Sequence, residues 1–144
     1  MTELLQERQT FVLFPLGKKR FALPAKQVHE LARQDEPQTF PHTTPLITGV
    51  VLRRNQILPV ADLAPVLVGP EAPARKFYLV VNRQARGKTN RTAIPVTGEC
   101  ELTNAEQLPV TGKLPGYVTG LISLADEIVE VLDIERLLAQ EASA

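Results

Sequence analysis

A single offset of 71 positions relates one half of this chain to the other, and it constrains the fold more than any other feature of the sequence. Arg20-Phe21-Ala22-Leu23-Pro24 answers to Arg91-Thr92-Ala93-Ile94-Pro95, and Glu30-Leu31 answers to Glu101-Leu102. Ile47-Thr48-Gly49 matches Val118-Thr119-Gly120, and Ile57, Val60, Asp62 and Leu67 match Ile128, Val131, Asp133 and Leu138 without a gap. Arg20 to Leu31 holds 5 identities in 12 positions and Ile47 to Leu67 holds 6 in 21, and the shared offset marks an internal duplication. The expected organisation is one domain over 1–144: a first subdomain at 10–68, a linker at 69–75, a second subdomain at 76–132 and a helix at 133–142. A repeat of about 70 residues has little core of its own, so the two copies should share one.

Each copy reads as about five short strands with turn signals between them, an all-β pattern suited to small barrels that leave no exposed edge. Phe11 to Leu16 is apolar and broken by Pro15, which points to an edge strand. Phe21 and Leu23 belong to a second strand and Val28 to Leu31 to a third, while Pro37, Pro41 and Pro45 describe an extended crossing segment. Gly49 to Leu63 reads as a hairpin. Val50-Val51-Leu52 and Ile57-Leu58 with Val60 are its apolar arms, expected in the core, and Arg53-Arg54-Asn55-Gln56 is its exposed basic tip, with Asn55 suited to positive φ. Asp62 and Asp133 each precede an apolar pattern and read as N-caps; Ile134, Leu137 and Leu138 form one helical face. In the second half, Phe77 to Val81 is a strand and Asn82 to Asn90 a polar loop containing Arg83, Arg86 and Lys88.

The chemistry of catalysis is hard to assemble from these residues. His29 and Glu30, as neighbours on a strand, should point to opposite faces and form no dyad. Cys100 lies between Glu99 and Glu101, which would raise its thiol pKa and make it a poor nucleophile. No catalytic residue, metal-ligand spacing or phosphate-binding glycine loop is recognisable, and no cofactor is expected. Sixteen basic and sixteen acidic residues cancel, so no global field draws the chain to nucleic acid or an anionic membrane. The basic residues of 83–91 are the one feature that favours a β-barrel nucleic-acid module, and the aromatic platforms such a module uses are missing. No apolar run is long enough for membrane insertion, and Met1 to Thr10 has no apolar leader core, which places the chain in the cytoplasm.

Differences between the copies carry a further clue. Arg53 and Arg54 at the first tip correspond to Leu124 and Ala125 at the second, which continues Asp126-Glu127 and is acidic. Opposite charges at equivalent ends suit a weak head-to-tail self-association.

The chain resembles the CheW-like family of chemosensory adaptor proteins. FVLFPLGKKRFALPAKQVHEL resembles the family's opening strands, GVVLRRNQILPVADL its signature hairpin, and YVTGLISLADEIVEVLDIERLL its last strands and C-terminal helix. The resemblance implies two SH3-like five-stranded barrels and a non-enzymatic scaffold that bridges chemoreceptor tips and the regulatory domain of a CheA-type histidine kinase, recruited from the cytoplasm to receptor arrays. It also implies a partner surface at Val28, Glu30, Gly49, Arg54, Tyr117 and Gly120, to which the asymmetry of the two tips adds their neighbours Leu52, Arg53 and Asn55. Leu52 stands where the family has asparagine, Asn55 where it has glycine, and Arg53 at an apolar place. These departures fit a pathway other than the flagellar one, such as control of type IV pili.

Overall fold

A computed structural model describes residues 8–33, 47–69, 73–85, 88–110 and 112–142. Among the described residues ten strands and two α-helices follow one another: β1 (Arg8–Leu16), β2 (Lys19–Pro24), β3 (Val28–Arg33), β4 (Ile47–Arg53), β5 (Gln56–Ala61), α1 (Ala64–Leu67), β6 (Phe77–Ala85), β7 (Lys88–Val96), β8 (Glu101–Glu106), β9 (Val118–Ser123), β10 (Ile128–Leu132) and α2 (Ile134–Ala142), with one 3-10 turn (Ala25–Gln27) after β2. They build two five-stranded sheets, ordered β8-β1-β2-β10-β9 and β3-β6-β7-β5-β4.

Each sheet draws on both sequence copies. Strands β1 and β2 lie with β8, β9 and β10, whereas β3, β4 and β5 lie with β6 and β7. The divisions expected at 10–68 and 76–132 are therefore not divisions between sheets; the copies exchange their leading hairpins. The interleaving leaves β1 inside its sheet, paired with β2 on one side and β8 on the other, and not at an edge. Pro15 is accommodated because the β8 ladder stops at Leu13↔Glu101, two residues before the position that lacks an N–H.

The first barrel closes through backbone, where Leu108 and Leu121 exchange hydrogen bonds of 2.7 and 3.0 Å. Its inner layer is Phe11, Leu13, Ala22, Ala105, Ile122, Val129 and Val131. The second barrel encloses Val51, Leu58, Val60, Tyr78, Val80 and Ala93. Between the barrels lies the shared core expected for so short a repeat. It combines Phe14, Leu16, Phe21 and Leu23 with Leu79, Ile94 and Val96, and Leu137 of α2 docks on it. Phe14 and Phe21 pair directly across the ladder with ring centroids 6.0 Å apart.

Both helices show what an aspartate does at a helix start. Asp133 accepts the Arg136 amide at 3.1 Å and so caps α2, whose Ile134, Leu137 and Leu138 are buried. Asp62 does not cap α1. Its carboxylate is taken by Arg75, at 2.9 Å through Oδ2 and 3.3 Å through Oδ1, leaving only a long 3.4 Å contact to the Ala64 amide. A guanidinium fork outcompetes a single amide.

The polar loop expected over Asn82 to Asn90 is instead an extension of the β6–β7 hairpin, paired as far as Ala85↔Lys88. Strand β1 already begins at Arg8, ahead of the apolar run from Phe11, and the proline-spaced crossing segment lies outside the described residues.

Candidate partner-binding surface

The β4–β5 hairpin turns where its sequence says it should. Arg53 pairs with Gln56, so Arg54 and Asn55 alone form the connection, with φ of 51° and 65°. Two central residues at positive φ define the turn that matches the twist of a hairpin. Asn55 suits it; Arg54 takes the same left-handed conformation against a steric cost of about 1 kcal/mol.

Two expectations for this hairpin change. Leu52 and Ile57, placed in the core by their apolar runs, are 64% and 71% exposed and face each other across the ladder. Successive side chains of a strand alternate between faces, so with Val51 and Leu58 inside, Leu52 and Ile57 must be outside. Of the two arginines, only Arg54 is the exposed tip, with its side chain 72% accessible. Arg53 is the last residue of β4 and donates through Nη2 to Glu30 Oε1 at 2.6 Å.

Glu30 is the centre of the cluster. Its carboxylate lies 2.6 Å from Arg53, 3.7 Å from Arg54 and 3.8 Å from His29 Nε2. The approach of His29 corrects the opposite-face expectation. The ladder with β6 slips between Val28 and Glu30, so His29 is an extra residue in a bulge and regular alternation fails there. The hydrogen bond from Arg53, reinforced by the charges of Arg53, Arg54 and His29, holds the Glu30 carboxyl below the ordinary carboxylate range despite its partial burial.

The remaining expected site residues lie elsewhere. Val28 is half-buried against the shared core, and Gly49 is buried opposite Val60. Tyr117 and Gly120 belong to the first barrel. The Tyr117 carbonyl accepts the Asp133 amide at 2.8 Å, and burial together with Glu130 pushes its phenol pKa up. Gly120 pairs with Val131, and a Cβ there would collide with the Gln107 side chain. The fold thus gathers Glu30, Arg53 and Arg54, keeps Leu52 and Asn55 on the same hairpin, and holds Tyr117 and Gly120 on the other barrel.

Several surface features escaped the sequence. Arg20 pairs with both Glu101 and Glu127, so the acidic second tip is half neutralised and Asp126 is its exposed charge. Glu101 is the counterpart of Glu30, and the same acidic position thus serves each barrel with a different arginine. Leu31 and Ile57 are exposed, and so are their counterparts Leu102 and Ile128. The repeat was the available signal: apolar residues kept in both copies at solvent-facing positions. Cys100 is half-buried, and burial pushes its thiol up to about 12; desolvation, more than the acidic neighbours, sets that direction. Of the basic residues expected at 83–91, Arg83 is bonded to Glu135 at 2.9 Å and Arg91 to Asn82 and Gln56. Among the described residues no cluster of His, Cys, Asp and Glu could hold a metal ion, and no helix is long and apolar enough to cross a membrane.

Two interleaved five-stranded barrels, with an ion cluster and exposed apolar pairs on open strands, define a β-domain built to present surface. The chain belongs to the CheW-like domain family, whose model matches residues 10–142. It is 27% identical to the chemotaxis protein CheW of Klebsiella aerogenes over 94% of this chain and 85% of the relative. It is 19% identical to a probable chemotaxis protein CheW of Rhizobium etli, covering 97% of this chain and 94% of that one. The crystal structure of the scaffolding protein TtCheW from Thermoanaerobacter tengcongensis superposes with a TM-score of 0.75 at 19% identity, over 88% of this chain and 85% of that chain, and so shares the fold.

Proposed function

We propose that this chain is a scaffold that couples chemoreceptor cytoplasmic tips to the regulatory domain of a CheA-type histidine kinase, catalysing no reaction itself. The family assignment supports the adaptor role. The observation that carries the contact surface is the Glu30–Arg53–Arg54 cluster: Arg53 holds the carboxylate at 2.6 Å, whereas the strained, exposed Arg54 pairs with it only at 3.7 Å and can turn to an acidic partner group beside the apolar Leu52–Ile57 pair. A charged anchor next to exposed apolar surface is the usual composition of a recognition patch. Mixing the purified chain with a receptor cytoplasmic fragment and the kinase tests this. Co-sedimentation of all three with raised kinase autophosphorylation is expected; a kinase indifferent to the chain would overturn the reading.

Two finer features belong to the same reading. Apolar Leu31 and Ile57 on one barrel, repeated as Leu102 and Ile128 on the other, together with Arg54 and Asp126, suit weak head-to-tail association. Sedimentation velocity should show concentration-dependent association that Ile128→Lys removes. Leu52, Arg53 and Asn55 depart from the family's hairpin signature, which favours a pathway controlling type IV pili. A deletion strain should then lose twitching and keep swimming.

A further inference from the structure

Arg20 and Arg91 occupy the same place in the two copies, yet their electrostatic surroundings differ. Arg20 is gripped by two carboxylates, Glu101 and Glu127. At Arg91 neither is available. The counterpart of Glu127 is Gln56, which is neutral, and the counterpart of Glu101 is Glu30, which Arg53 has taken at 2.6 Å. Arg91 is left with two long bonds to neutral amides, Nε to Asn82 Oδ1 at 3.3 Å and Nη1 to Gln56 Oε1 at 3.4 Å. Among the described residues no carboxylate reaches it at ion-pair distance.

Two other differences between the copies lie beside it. In the first barrel the parallel β2–β10 ladder runs over Glu130↔Phe21 and Val131↔Ala22; in the second only Val60↔Ala93 pairs. The residue that would extend the second ladder is Pro59, which has no N–H to donate. Thr92 stands where Phe21, fully buried, packs into the shared core between the barrels. Beside this short ladder lies an open cleft of about 630 Å³, lined by Gln56, Ile57, Pro59, Arg83, Arg91 and Thr92. The Thr92 hydroxyl, one residue along β7 from Arg91, is buried with no hydrogen-bond partner.

We propose that this cleft binds a carboxylate, which takes at Arg91 the place that Glu127 holds at Arg20. A guanidinium fork suits a planar carboxylate because two parallel N–H donors meet its two oxygens. Arg83, although paired with Glu135, adds positive potential. Ile57 and Pro59 offer apolar surface to a short aliphatic stem, so the ligand is an aliphatic carboxylate, either a free dicarboxylate or a glutamate side chain of a bound peptide. The volume lies within the range of small-ligand pockets.

Titration of the full chain with succinate, with a short glutamate-rich peptide and with inorganic phosphate at constant ionic strength tests the site, read by NMR at the Arg91 Nε–H and the Thr92 amide. Saturable shifts with a carboxylate are expected. Saturation by succinate assigns a free ligand, and saturation by the peptide alone assigns a side chain. Arg91→Gln should weaken binding about tenfold or more. Gln56→Glu, which restores the missing internal carboxylate, should block binding while raising the melting temperature, and it keeps the test meaningful if Arg91→Gln misfolds. Non-saturating shifts with both carboxylates, tighter binding of phosphate, or unaltered binding in Gln56→Glu would overturn the proposal.

Discussion

Arg53 Nη2 lies 2.6 Å from Glu30 Oε1, and this contact ties together β4 and β3, the two outermost strands of the second barrel. Where the first barrel closes with backbone hydrogen bonds at Leu108 and Leu121, the second relies at this seam on a side-chain pair. Arg53→Ala and Glu30→Gln should each cost about 1 kcal/mol, a modest figure because the Arg53 side chain is one-third exposed. The double variant should cost little more than either single one. Urea unfolding of the three variants checks this, and fully additive losses would show that the pair is not coupled.

The same pair sets an acid dependence. Because folding lowers the Glu30 pKa, the unfolded chain takes up the proton first, so the stabilisation is complete above the ordinary carboxylate range and fades as pH falls through the lowered value. The stability gap between the native chain and Glu30→Gln should be full at neutral pH and close as pH falls below the ordinary carboxylate range. A gap that stays constant with pH would contradict the assignment.

Core and surface leucines and isoleucines should behave differently despite similar sequence contexts. Leu137 on α2 is fully buried against the shared core, so Leu137→Ala should cost about 2–5 kcal/mol. Ile57→Ala should change stability by less than about 0.5 kcal/mol, since its side chain already faces water. Thermal unfolding of the two variants separates them.

The contrast shows what was legible in the sequence. Alternating apolar residues and turn chemistry gave the strands, the Arg54-Asn55 turn and the face of α2, because these depend on neighbours within a few residues. The 71-residue offset gave the duplication and a shared core. The exchange of hairpins was not legible, because Phe21 and Ile94 report that a strand is buried on both faces without reporting which strand lies beside it. The contact of His29 with Glu30 depends on a bulge made by the β6 ladder, and the diversion of Asp62 to Arg75 depends on a residue thirteen positions away. At the candidate surface, Glu30 and Arg54 were nameable from the family signature and Arg53 from the charge asymmetry of the two tips, whereas the division of labour between the two arginines required the register of the hairpin.

Cys100 should be inert. With its thiol pushed up to about 12 by burial, the thiolate is scarce at pH 8, and the thiolate is the reactive form. Ellman's reagent should label the folded chain far more slowly than the urea-unfolded chain; equal rates would contradict the burial.

The most direct measurement of the adaptor surface is calorimetric titration of the kinase regulatory domain, and separately of a receptor cytoplasmic fragment, with the native chain, with Arg54→Glu and with Lys113→Glu. Lys113 is an exposed control on the other half of the chain. If the β4–β5 tip makes the contact, Arg54→Glu raises the Kd for at least one partner about tenfold or more with circular dichroism and melting temperature unchanged, and Lys113→Glu binds as the native chain does. Native affinity of Arg54→Glu for both partners would contradict the account.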